Sequence, residues 1–212
     1  MIFAPVFARE KQYEKGVTGF TIGAVNTAVT LDGVSGLAAG RHGFVASSTG
    51  TLVEYLGRIL TVNGLVVTCR LVAQRARNAG DRFWVAKYVW QAASVPSVAE
   101  YDREVDPGIA TLETTGAVPL RTRVRDVGER VRLTLGSAAA SDWAGYLDWL
   151  RDRADWGLGQ FTAAWRDQDK GVVRTAVVAL GATERGFQTR VPLAGLRTWE
   201  MELVVAGEDG YL

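Results

Sequence analysis

The chain has 212 residues, of which 48% are hydrophobic and 22% charged, with a formal net charge of +1 and a pI near 7.9. This balance excludes a disordered chain and favours one large or two small domains with a sizeable core. Near-neutrality excludes a global field that would draw the protein to nucleic acid or to a membrane surface.

Cys69 is the only cysteine, so no intrachain disulfide forms and a reducing compartment fits; its setting, VVTCRLV, reads as that of a buried structural thiol. MIFAPVFAREK has a short apolar run without a preceding basic region and does not read as a signal peptide. No run approaches the roughly 18 apolar residues of a membrane span. The expectation is a protein made in the cytoplasm, with no membrane partner.

Taken in order, residues 1–16 read as an N-terminal arm, apolar up to the helix-breaking Pro5 and beyond, then charged to Gly16. Residues 17–212 read as a single β-rich domain. GFTIG, TAVTL and HGFVAS are short β-prone runs, and Gly33, Gly36 and Gly40 between them are turn residues without the spacing of a dinucleotide-binding loop. Asn63-Gly64 predicts a two-residue type I′ hairpin whose returning strand, LVVTCRLVA, is apolar enough to be covered on both faces. A polar turn centres on residues 78–80. The next strand, DRFWVAKYVWQ, puts Phe83, Val85, Lys87 and Val89 on one face and Trp84, Ala86, Tyr88 and Trp90 on the other. Aromatics on both faces suit a strand between two layers, or one whose outer face meets a partner through Trp84 and Trp90.

Residues 94–110, with Pro96, Pro107 and four acidic residues, read as an irregular surface loop. VPLRTRVR and ERVRLTL then predict a hairpin around residues 126–128, with Arg121, Arg123 and Arg125 on one face. In the helix that follows, SDWAGYLDWLRDRADW, Ser141 is the expected N-cap, and Trp143, Leu147, Leu150 and Ala154 form the apolar stripe. QFTAAWRD and VVRTAVVAL read as a strand pair across a turn at residues 169–171, and LRTWEMELVV as the closing strand.

Candidate chemistry is sparse. His42 is the sole histidine and lies in a Gly-rich turn, where a hydrogen-bonded structural role is the simpler reading. No catalytic, cofactor-binding or metal-ligating residue is assigned, and no cofactor is expected. Glu200 and Glu202 share a strand face roughly 6.5–7 Å apart. They fit a glycoside-cleaving pair or a solvated outer face. Asp102, Glu104, Asp106 and Glu113 echo a calcium loop, but Pro107 stands where that loop needs Gly. Arg121, Arg123, Arg125, Arg130 and Arg132 fit a nucleic-acid contact, a solvated face, or a subunit seam that meets acidic residues such as those of the 100–106 stretch.

Residues 149–167, WLRDRADWGLGQFTAAWRD, and 183–205, TERGFQTRVPLAGLRTWEMELVV, resemble the C-terminal part of tail-tube-like structural proteins of tailed bacteriophages. The likeness extends to the distal tail proteins that join tube to baseplate. It implies a β-sandwich or split barrel with one principal α-helix packed on the sheet. It also implies a virion tail protein that acts by assembly and not by catalysis. Its partners would be copies of itself in a ring, hexameric as in that family, the tail tube protein and the baseplate hub, with DNA only as cargo in the channel. On this reading Trp84, Trp90, Arg121, Arg123 and Arg125 are candidate subunit-interface residues. The alternative from another class is a carbohydrate-binding or carbohydrate-active β-sandwich.

Overall fold

The computed structural model describes residues 4–91, 98–106, 109–112, 120–123, 128–137, 140–153, 159–180, 188–190 and 197–205. In chain order these form β1 (Val6–Ile22), β2 (Thr27–Leu31), β3 (His42–Ala46), β4 (Glu54–Asn63), β5 (Val66–Cys69), β6 (Arg82–Gln91), β7 (Val98–Asp106), β8 (Ile109–Leu112), β9 (Leu120–Arg123), β10 (Gly128–Ser137), α1 (Ala140–Arg153), β11 (Phe161–Asp167), β12 (Val172–Leu180), β13 (Gln188–Arg190) and β14 (Arg197–Val205). The protein is mainly β with a single helix among the described residues, as expected, although its strands outnumber the roughly eight to eleven that sequence spacing suggests.

Six strands close a barrel. The second half of β1 pairs with β2, β2 with β5, and β5 with the second half of β4. The first half of β4 pairs with β3, β3 with β6, and β6 returns to the first half of β1. Closure requires β1 and β4 each to serve two ladders. Between β3 and β4 the register shifts by a residue next to Gly57, whose φ of 86° gives the left-handed bend that glycine adopts freely. A Cβ at Gly57 would stand 2.9 Å from Leu71 Cγ, so the bend also needs glycine's missing side chain. Val17, Val29, Leu31, Val45, Leu56, Ile59, Val67, Cys69, Phe83 and Val85 fill the interior.

Outside the barrel, the sheet continues from β1 through β11, β12, β14 and β10 to β7. α1 lies against this part. Its Tyr146, Trp149 and Leu150 are buried with Phe7, Trp90, Phe161, Trp165, Val131, Leu133, Met201 and Leu203. Phe7 is the hub of the aromatic packing: it stacks on Trp90 at 5.4 Å and meets Tyr146, Trp149 and Phe161 at 5.5–6.0 Å. Such pairs contribute about 0.5–1.5 kcal/mol each beyond area burial. A third cluster, containing Val6, Ala8, Phe44, Tyr55, Trp84 and Ala164, occupies the other face of β1, and there the Tyr55 amide donates to Thr175 Oγ1 of β12 at 2.9 Å.

Several expectations are corrected. Within the expected arm, Val6 to Gly16 are the first half of β1, hydrogen-bonded to β6, and Val6, Phe7 and Ala8 also pair with β11, so this part does not stand apart from the domain. Alternation carries them, since Phe7 faces the helix-side core while Val6 and Ala8 face the opposite one. Within the 94–110 stretch, residues 98–106 are not an irregular loop but β7, paired with β10. Its acidic residues recur at every second position, the period of a strand, and Asp102 and Glu104 sit opposite Arg132 and Arg130. The two Arg-rich runs do not pair with each other: β9 pairs with β8, and β10 lies between β7 and β14.

The tight turn sits one residue later than Asn63-Gly64 suggests. Asn63 pairs with Val66, leaving Gly64 and Leu65 as the two-residue loop, with Gly64 at φ 56°. Glycine with positive φ at the first loop position is the II′ pattern. β5 is covered on one face only, since Val67 and Cys69 are buried while Val66 is exposed. α1 begins at Ala140, which puts Ser141 inside the helix and not at its cap. Trp143's side chain and Ala154 lie outside what is described, and so do Arg125, Pro107 and Glu113.

Candidate functional site

Two groups of charged side chains stand out, one on the β7–β10–β14 face and one where the barrel meets the second sheet.

On the first, β10 alternates. Val131 and Leu133 point into the core, and Arg130 and Arg132 point out. Glu202 of β14 lies beneath those arginines: Arg132 Nε donates to Glu202 Oε2 at 3.2 Å and Arg130 Nη1 lies 3.9 Å from Oε1. The carboxylate is only 7% exposed, while both arginines are more than half exposed. Glu202 is therefore not on a solvated outer face, as strand alternation alone suggested. It is a shielded carboxylate whose two oxygens are both taken up by arginines. Glu200's side chain lies outside the described set.

Beyond this face the chain runs out along β7 and β8 and back along β9 and β10. β8 and β9 form a two-stranded sheet of their own, and Arg121 and Arg123 lie on β9 at the register positions of Thr111 and Ile109. Arg130 and Arg132 are thus on a different sheet from Arg121 and Arg123.

The second group is built around buried ion pairs. Glu129 falls on the inward side of β10, in phase with Val131 and Leu133. It receives both terminal nitrogens of Arg174, Nη1 to Oε1 at 2.6 Å and Nη2 to Oε2 at 2.5 Å. The Arg174 guanidinium also stands 5.1 Å from the Trp165 ring centroid, a cation–π distance. Nearby, Arg77 Nη2 donates to Glu54 Oε2 at 3.1 Å and to the Leu52 carbonyl at 2.8 Å, and the Gln74 amide donates to Glu54 Oε1 at 2.5 Å. Glu54, Arg77, Asp167 and Arg174 line one open pocket, with Arg75 and Lys170 among its other residues. Asp167 is fully buried and accepts the Lys170 amide at 3.1 Å, which fixes the β11–β12 turn. None of these residues stood out as a site in the sequence. The available signal was a charged residue in an apolar strand, Arg174 within VVRTAVVAL and Glu129 in phase with two core positions.

The remaining candidates are structural. Trp84 and Trp90, expected as contact residues, are 4% and 6% exposed within the single chain. Trp84 stacks on Phe44 at 4.2 Å and Trp90 on Phe7. His42 opens β3 and is buried, with Nδ1 2.7 Å from the Tyr55 hydroxyl. Burial, reinforced by the Arg58 charge, pulls its pKa down to about 4, so the imidazole is neutral. Cys69 is buried in the barrel, and burial pushes its thiol up to about 12, which leaves it protonated and inert as a nucleophile. Asp102, Glu104 and Asp106 of the supposed calcium loop lie along the extended strand β7, and no cluster of metal-binding side chains occurs among the described residues. No described helix is long and apolar enough to cross a membrane, which says nothing of β-barrel spans.

Compared with known proteins, the chain matches no family model, no curated protein and no solved structure.

Proposed function

We propose that this chain is a structural virion protein of a bacteriophage tail or baseplate, a subunit of a ring that connects the tail tube to the baseplate hub. The reading rests on the resemblance in residues 149–167 and 183–205. The single structural observation that supports it is the β7–β10 hairpin and its extension. β8 and β9 prolong the hairpin as a two-stranded sheet that pairs with no other described strand. A two-stranded ribbon is marginal on its own and gains stability when it packs against something else. In a ring, that surface is supplied by the adjacent subunit. Arg121 and Arg123 on β9 then belong to the seam, in keeping with the preference for charge complementarity in subunit contacts.

This assignment moves the contact away from Trp84 and Trp90, which the subunit uses internally. It keeps the arginines as positioning charges and not as a DNA-binding surface, with DNA only as cargo in the channel. The test is charge reversal. In sedimentation velocity, the double variant Arg121→Glu/Arg123→Glu should lose the ring-sized species formed by the wild type while retaining the monomer's β-sheet circular dichroism. Equal assembly in both proteins would contradict the seam.

A further inference from the structure

The pocket between the barrel and the β11–β12 turn carries an unassigned binding site. It is open to solvent and is lined by four basic side chains, Arg75, Arg77, Lys170 and Arg174, against two acidic ones, Glu54 and Asp167. Both acids are already engaged. Glu54 uses one oxygen on the Gln74 amide and the other on Arg77, and Asp167 accepts the Lys170 amide. Arg174 gives both terminal nitrogens to Glu129.

Arg75 is different. Among the described residues its guanidinium has no hydrogen-bond or ion-pair partner. It is partly shielded from water and stands near the Arg77 charge, and burial and that charge both lower its pKa, with Glu54 only partly offsetting them. A partnerless cation beside a second cation, facing a cavity, is the arrangement that an anion relieves.

We propose that this pocket binds a small oxyanion, phosphate or carboxylate, with Arg75 as the principal contact and Lys170 as a second charge on the opposite wall. The planar fork of an arginine matches either group in a bidentate way, and a lysine adds a less directional point charge. The two walls come from different parts of the fold. Arg75 and Arg77 follow β5 in the barrel, and Lys170 belongs to the turn between β11 and β12. A bound anion therefore ties the barrel to the second sheet, at a place where the Gln74 side chain already donates to the Val173 carbonyl. The proposal is independent of ring assembly.

The test is a calorimetric titration of the full-length chain with inorganic phosphate, and separately with acetate, at constant ionic strength set with chloride. Saturable binding of one anion per chain is expected, with a rise in Tm that follows occupancy. Arg75→Gln should weaken binding by about tenfold or more. Lys170→Gln should weaken it to a lesser degree. Arg75→Gln should unfold at the wild-type temperature or above in anion-free buffer, because the side chain gives up no hydrogen bond. Tighter binding of phosphate than acetate assigns a phosphate-type ligand, and the reverse order a carboxylate. Absence of saturable binding for both anions would overturn the proposal, as would equal affinity in wild type and Arg75→Gln.

Discussion

Arg174 and Glu129 join two strands that are not hydrogen-bonded neighbours. β12 and β10 lie on opposite sides of β14, and the two side chains, 4% and 12% exposed, meet in a two-pronged pair. The pair fixes the base of the β7–β10 hairpin to the strand that crosses the barrel wall at Tyr55. Removing one partner strips a shielded charge of its two-pronged counter-ion, and breaking a buried pair in this way typically costs about 3–5 kcal/mol. Arg174→Met should therefore lower unfolding free energy by that order, and the double variant Arg174→Met/Glu129→Leu should recover most of it. Urea denaturation of the three proteins measures the difference. Equal stability of the single variant and wild type would show that the pair is not shielded as described.

Phe7 distinguishes a central strand from a detachable arm. It is fully buried and touches four other aromatic rings. Phe7→Ala should cost about 3–5 kcal/mol, the range for a large aromatic removed from a packed core. An arm resting on the surface would lose far less. The same packing implies that Trp84 and Trp90 are shielded from acrylamide in the monomer, so assembly should change their quenching little.

His42 gives the stability a pH dependence of known sign. Its folded pKa, about 4, lies below the ordinary histidine value of 6.5. The unfolded chain therefore binds a proton that the folded chain refuses between those values. The stabilisation linked to neutral His42 is fully present above pH 6.5, falls as the pH is lowered, and levels off below about pH 4. The loss is on the order of 3 kcal/mol. Arg58 of β4, which adds to the depression, and Tyr55, whose hydroxyl meets Nδ1, are the polar groups facing the ring. In urea unfolding between pH 7 and 4, His42→Gln should lack this component of the slope. Parallel profiles for the two proteins would contradict the assignment.

Much of the strand pattern could be read directly. Short β-prone runs located β2 and β3, alternation located β6 and β14, and the turn at residues 168–171 was marked by Asp-Lys-Gly, with Gly171 at φ 68°. The placement of Met201 and Leu203 in the core followed from period two. What escaped was set by pairing over long separations. The proline near each end of residues 94–110 masked the acidic alternation of β7, whose partner, β10, lies beyond a further hairpin. The turn after β4 moved by one residue because barrel register outweighs the local preference for Asn-Gly: Thr30 pairs with Val66, and the Leu31 amide donates to the Leu65 carbonyl. Glu54, Arg77, Glu129 and Arg174 belong to distant segments, so their convergence is a property of the closed barrel and its attached sheet and of no local motif.

The measurement that bears most directly on the central claim is the mass of the purified protein by light scattering across a wide concentration range, with negative-stain images of the same fractions. The account predicts closed rings, or stacks of rings, with a mass that is a fixed multiple of 22.9 kDa. A mass of one chain at every concentration, with no annular particles, would contradict it.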